Sequence, residues 1–326
     1  MPHRRSPLAR LGACLRGEFG PRTDWVDVVA IANDYLVGPS LYRELRRSER
    51  RDRVDPEAMA YLGRLHAANL ERNAALRRQI VEVAEAMTAE GLEPLLIKGA
   101  ALLALPGDPA AETRMIGDID LVAGPERAAM DGVLRRLGYA VVDGTARGHS
   151  AGTYWRGYSA GGIDLHARLP VRMAPVIFEA DLALRTERVR LGDAVVRVPD
   201  ATLHVALNIA HEMLHDQGLY TGLTEVRYVL ELRDVVCRSR RPIDWDWLAR
   251  KCENPAFALA LELQARMARE LLGFDPFPGV ARSRRGDLLH RRRLLKARLD
   301  AIGRLEWRVV SRLMRMRRPS VPPILA

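Results

Sequence analysis

The chain has 326 residues, 48% of them hydrophobic, and its 51 Lys and Arg against 41 Asp and Glu give a formal net charge of +10. This is enough apolar material to bury a sizeable core as two domains, or as one domain with helical additions, and no apolar run is long enough to span a membrane. The charge is local: residues 281–318 hold fourteen Lys or Arg against three acids, so the rest of the chain is close to neutral and a basic surface over the whole protein is excluded.

The first twenty residues, MPHRRSPLARLGACLRGEFG, are basic but contain no unbroken apolar segment of the signal-peptide kind. Cys14, Cys237 and Cys252 are odd in number, far apart and without C-x-x-C spacing, which suits a reducing cytoplasm and argues against a disulfide framework or a zinc ribbon. Residues 5–53 read as two or three helices. Thr23-Asp24 caps a helix with a stripe of Trp25, Val28, Val29, Ile31 and Tyr35, Gly38-Pro39 ends it, and a charged amphipathic segment follows. Asp55-Pro56 opens a long helix to about residue 89, along which Leu62, Leu65, Leu70, Leu76, Ile80 and Val83 keep roughly a 3.6 period, and Gly91 closes it. Residues 1–90 form an N-terminal helical region in this reading.

Leu95, Leu96 and Ile97 then make a short strand that stops at Lys98-Gly99, and residues 100–105 begin a helix. A strand, a glycine turn and a helix N-terminus make a place where backbone N–H groups can hold phosphate. A second strand over 116–122 alternates, putting Asp118 and Asp120 on one face. Gly124-Pro125-Glu126 opens a helix through Leu137, and a strand follows at 140–142. Residues 143–162, rich in Gly, Ser, Thr and Tyr, read as a loop or short hairpin from which His149 and Tyr154 could approach a ligand. Ile163-Asp164-Leu165-His166 repeats the alternation and adds a third carboxylate. Three acids at this spacing, facing a phosphate-holding turn, suit two divalent cations in phosphoryl transfer. Residues 185–199 read as a hairpin turning at Gly192-Asp193, which completes a core over 91–200.

From residue 201 onward the pattern is helical, giving a third region, 201–326. Leu288, Leu295, Leu299, Ile302, Leu305, Val309 and Leu313 describe a long basic amphipathic helix. It is expected to dock its apolar stripe on residues 202–272 and to present Arg291, Arg292, Arg293, Arg298, Arg312, Arg315 and Arg318 as a positive ridge.

The order strand-Lys98-Gly99-helix, then Asp118-x-Asp120 on a strand, then Ile163-Asp164-Leu165 on a further strand resembles the DNA-polymerase-β-type nucleotidyltransferase superfamily. Within it, KGAALL, RMIGDIDLV and IDLH look most like a large bacterial group labelled uncharacterised nucleotidyltransferase, over roughly residues 55–240. The resemblance implies an α+β fold, a small mixed sheet flanked by the N-terminal helices and the C-terminal helical region. It implies transfer of a nucleoside monophosphate from an NTP such as ATP to an acceptor hydroxyl, with Mg²⁺ or Mn²⁺ held by Asp118, Asp120 and Asp164. Asp164 would also take the acceptor's proton. Lys98, Gly99, Arg114 and His166 would bind the nucleotide. The commoner superfamily motif carries a serine beside the glycine, and Lys98-Gly99-Ala100 has none. The acceptor is open between RNA such as a tRNA end, a protein hydroxyl, a peptide and a small molecule.

Two other classes compete. A non-catalytic nucleotide- or RNA-binding regulatory module is disfavoured because all three acids are present. His211-Glu212-x-x-His215 matches the H-E-x-x-H of zinc metallopeptidases, but no H-x-x-G-x-x-H continuation follows, and Glu225 and Glu231 lack the context of a third ligand.

Overall fold

A computed structural model of the chain describes residues 6–105, 107–143, 150–238, 241–277 and 279–298. Three helices open it: α1 (Pro7–Leu15), α2 (Trp25–Asp34) and α3 (Gly38–Arg47). The Ser6 and Asp24 side chains accept the N–H groups of Ala9 and Asp27, which caps the first two. Gly38-Pro39, expected to end α2, instead starts α3, because a proline in the first turn has no N–H that the helix would use. The 33-residue α4 (Pro56–Thr88) begins at the Asp55 cap as the sequence indicates, and Gly91, at φ +74°, turns the chain out of it.

The central part comprises β1 (Leu95–Ile97), α5 (Lys98–Ala104), α6 (Pro109–Thr113), β2 (Asp118–Val122), α7 (Arg127–Arg136), β3 (Ala140–Asp143), β4 (Ser150–Trp155), β5 (Gly162–His166), α8 (Glu179–Leu184), β6 (Thr186–Leu191) and β7 (Ala194–Pro199). The seven strands form one sheet in the order β3-β4-β5-β2-β1-β7-β6. β2 and β5 run parallel, as do β1 and β7, and the remaining neighbours are antiparallel. β4, hidden in the stretch read as a loop or short hairpin, pairs on both sides. This mixed sheet between helical regions is the α+β fold implied by the sequence.

Alternation assigns the two faces of the sheet. Leu96, Ile119, Leu121, Ile163 and Leu165 belong to a core shared with α4, α5 and α7. Leu95, Ile97 and Val122 pack instead with the helices that follow β7. These are α9 (Ala201–Ala210), a π-turn (His211–His215), α10 (Gly218–Thr221), α11 (Val226–Arg233), a second π-turn (Asp234–Arg238), α12 (Trp245–Lys251), α13 (Pro255–Leu272) and α14 (Arg284–Arg298). A third core joins the two ends of the chain: Leu8, Leu11, Leu41, Leu45 and Leu62 pack with Val226, Val229, Met267 and Leu271. Arg43 on α3 reinforces this junction with a 2.5 Å ion pair to buried Asp234 and a 2.7 Å bond to the carbonyl of Pro109. Among the described residues no helix is long and apolar enough to cross a membrane.

α14 docks on α13 and α1, but with a different face from the one the leucine spacing indicates. Leu288 and Leu295 are exposed, whereas Arg293 is 1% exposed and Lys296 is buried. Arg293 donates to Glu212 Oε1 at 3.2 Å, to the carbonyl of Leu223 at 3.1 Å and to Thr224 Oγ1 at 3.2 Å, and Lys296 donates to the carbonyl of Thr221. The expected outward ridge therefore loses Arg293. Carbonyls and a buried carboxylate on the partner surface reward a cation more than they reward a leucine. Gly286 permits the close approach, since a Cβ there would fall 2.1 Å from Glu262 Oε1. The stretch of the leucine pattern beyond residue 298, with Arg312, Arg315 and Arg318, lies outside the described residues.

Glu212 is enclosed between Arg293, Gln264 and the N–H of Glu225. Burial pushes its carboxyl up to about 7 against the pull of Arg293. A folded-state value above the ordinary 4.5 stabilises the fold below that pH, and the contribution is lost as the pH rises through about 7. Glu212→Gln should therefore flatten the fall in stability between about pH 5 and 8, measured as urea midpoints of the two proteins at each pH. Parallel curves for wild type and variant would show that Glu212 does not titrate in the folded state.

Candidate active site

The parallel register of β2 and β5 sets Asp120 directly opposite Asp164 and Val122 opposite His166, with Asp118 opposite Gly162. The acids lie on the sheet face that carries Leu95, Ile97 and Val122, so they open toward the helices after β7. Asp120 is 2% exposed, and its Oδ1 receives both Lys98 Nζ and His166 Nε2 at 2.8 Å. Burial alone would raise its carboxyl; the hydrogen bond from His166 and the charge of Lys98 override it and hold Asp120 at about 2. Lys98 is pushed the other way. Its burial is outweighed by Asp120, with Asp118 and Asp216 adding, and its ammonium is held above the usual lysine value. Asp118 keeps surface open to solvent at the mouth of β2, yet the protein crowded around it, followed by the charges of Asp120 and Asp164, raises its carboxyl against Lys98 and Arg114. Asp164 accepts a 2.6 Å hydrogen bond from Thr153 Oγ1 on β4.

The local backbone explains how Lys98 gets there. It sits at φ +53°, a left-handed conformation uncommon for a side-chain-bearing residue, at the junction of β1 and α5. The sequence points to Gly99 as the turn residue, but Gly99 has another role: a Cβ there would fall 2.9 Å from Ile116 Cγ1. The glycine lets α5 seat against the segment entering β2.

α4 fixes that segment. Asn73 Nδ2 donates to the carbonyls of Ala111 (2.8 Å) and Arg114 (2.9 Å), Asn69 Nδ2 to that of Glu112 (3.2 Å), and Arg72 to those of Ile116 (3.0 Å) and Gly117 (3.1 Å). About two turns further, Gln79 makes a reciprocal pair with Gly161 just before β5, donating to its carbonyl at 2.9 Å and accepting its N–H at 3.1 Å. Both acidic strands are thus anchored at their entrances to one helix. Sequence periodicity passes over these amides because it weighs apolar residues alone, and it includes Leu70, which is exposed.

Arg114 is placed differently from the phosphate clamp expected of it. Its Nε pairs with Glu231 Oε2 at 3.0 Å, its guanidinium lies 4.8 Å over the Tyr228 ring, and its Nη1 is buried without a hydrogen-bond partner among the described residues. Glu231 also meets His204 Nε2 at 2.8 Å. Its burial is overridden by Arg114 and His204, which hold it at about 2. Tyr154 does not reach the cleft, because it is buried with its hydroxyl on Asp131 of α7. His149 lies outside the described residues. Glu212, the would-be peptidase base, faces the α13–α14 side described above.

The structure thus brings Lys98, Asp118, Asp120, Asp164 and His166 together, sets Arg114 beside them, and adds Thr153, which sequence reading missed. Three carboxylates face the same side of the sheet, one of them raised by burial and then by the other two, and a divalent cation would relieve repulsion among them. Asp120, Asp164 and His166 offer donor atoms within 4.8 Å of one another. The family model described as uncharacterised nucleotidyltransferase matches residues 21–273, most of the chain, and the protein belongs to that family. No curated protein and no solved structure matches the chain.

The Gln79–Gly161 pair is directly testable. Gln79→Met should leave two buried backbone groups of Gly161 unsatisfied and cost about 1–3 kcal/mol in urea unfolding at unchanged m-value. A loss within error of zero would mean that β5 is positioned without this amide.

Proposed function

We propose that the protein transfers a nucleoside monophosphate from an NTP to an acceptor hydroxyl, with Asp118, Asp120 and Asp164 as ligands for Mg²⁺ or Mn²⁺. The observation that carries this reading is the side-by-side placement of Asp120 and Asp164 on β2 and β5 with Asp118 one step along the same face. Two divalent ions bound there would supply Lewis-acid stabilisation of the attacking and leaving oxygens. The remaining work falls to the side chains. His166 and Lys98, both on Oδ1, hold the Asp120 carboxyl well below the usual range, so that it meets a cation as a carboxylate. Thr153 fixes the orientation of Asp164, the carboxylate proposed to take the proton from the acceptor hydroxyl. Lys98 supplies positive charge beside the acids, where the triphosphate must sit. Arg114, held by Glu231 and Tyr228, gives a fixed charge near Asp118, and its Nη1, without a partner among the described residues, is a donor that a phosphate oxygen would satisfy. Gly99 contributes by letting α5 and the entrance to β2 close on one another.

Incubating the protein with each α-labelled NTP, Mg²⁺ or Mn²⁺ and a lysate of its own cells, then separating RNA, protein and small molecules, should place label in one of the three pools. Asp120→Asn should abolish the labelling while the thermal transition remains cooperative. Thr153→Val should lower the rate by roughly the 10²-fold range expected when a catalytic base loses its orientation. Labelling that persists in Asp120→Asn would end the two-cation reading.

A further inference from the structure

His211, His215 and Asp216 lie on the helical side that the acidic centre faces, with Asp216 in electrostatic reach of Lys98, and no role in transfer has been assigned to them. Their donor atoms lie within 4.8 Å of one another. His211 Nδ1 is 3.1 Å from Asp216 Oδ2 and 3.1 Å from the Tyr228 hydroxyl, and the two imidazole rings are 5.1 Å apart. Asp216 is exposed, so the cluster has an entrance from solvent, and its carboxyl interacts electrostatically with Lys98.

The π-turn creates this grouping. In an α-helix, at about 100° per residue, His215 falls on the face of His211 but Asp216 stands roughly 140° away. Here the N–H of Asp216 bonds to the carbonyl of His211 at 2.8 Å, an i→i+5 closure that carries Asp216 back over His211. The third ligand absent from the H-E-x-x-H sequence pattern is the very next residue. Glu212 points to the other side, onto Arg293 and Gln264, so the pair of histidines is separated from the peptidase base that usually accompanies it.

We propose that His211, His215 and Asp216 form a second cation site, selective for imidazole-preferring divalent ions such as Zn²⁺ or Co²⁺. Two imidazoles and one carboxylate with a further position open to solvent are a donor set such ions accept in tetrahedral geometry, whereas Mg²⁺ prefers oxygen. The His211–Asp216 separation is already close to that of two ligands on one tetrahedral ion, about 3.3 Å for bonds of about 2.05 Å. The Tyr228 hydroxyl meets the same Nδ1 and would give way to the ion on binding. This site is independent of the transfer reading, and its ligands are not those of the acidic centre.

Titration of the full-length, metal-free protein with Co²⁺ should give the visible absorption of tetrahedral cobalt with the amplitude of one such ion per chain, whatever the acidic centre takes up in addition. The band should persist in Asp120→Asn, and His215→Gln and Asp216→Asn should each remove it and weaken Co²⁺ binding by more than about tenfold. Thermal unfolding of the metal-free variants checks that each is folded before titration. A band that survives both His215→Gln and Asp216→Asn, or that disappears with Asp120→Asn, would overturn the proposal. Because no nucleotide is present in the measurement, its outcome does not depend on whether the chain transfers nucleotides.

Discussion

The parallel register of β2 and β5 is the constraint on which the rest of the site depends. It forces Asp120 and Asp164 into adjacent positions on one face of the sheet, where two carboxylates repel each other and one is buried. A sheet selected for stability alone would carry a pair of apolar residues there. Here the repulsion is offset by Lys98 and His166 on one acid and Thr153 on the other, delivered from the end of β1, from β5 and from β4. A one-residue slip of β5 would turn Asp164 and His166 to the opposite face, among Leu121 and Ile119, so the register must be firmly held. The buried amides of α4 hold it from outside the sheet.

The surrounding helices are best understood as supports for that arrangement. Those before β1 and those after β7 share one core and exchange buried ion pairs such as Arg43 with Asp234. This joint brings α11 to the sheet and so presents Glu231 and Tyr228 to Arg114. Buried charges of this kind contribute little net stability when intact but cost several kcal/mol when one partner is lost. Their usefulness lies in directing where each helix can sit.

Much of this was legible in the sequence, and the parts that were not have identifiable causes. The strand-turn-helix at Leu95, the D-x-D alternation, the 185–199 hairpin and the long helix from Asp55 follow from short-range patterns, and the acids followed from their spacing. Thr153 escaped notice because β4 sits in a stretch whose Gly, Ser and Tyr content imitates a loop. The docking face of α14 was misjudged because leucine periodicity cannot register a buried arginine whose partner, Glu212, lies 81 residues away. Arg114 was recognised as important, but its engagement with Glu231 depends on a contact between α11 and the segment entering β2 that no local pattern encodes.

Both helices of the cleft wall that end in π-turns, at His211–His215 and Asp234–Arg238, carry one residue more than a regular helix would need for the same rise. The wall is therefore defined by a count of residues as well as by their identities. Removing a residue from inside either turn would restore ordinary helical winding, leaving the chain beyond it facing nearly as before but turning residues within the turn by about 100°. For the first turn Asp216 would then stand four steps from His211, still on its face, whereas His215 would fall to three steps, about 60° to the other side. The extra residue of the first turn is thus what lets His215 and Asp216 both stand over His211.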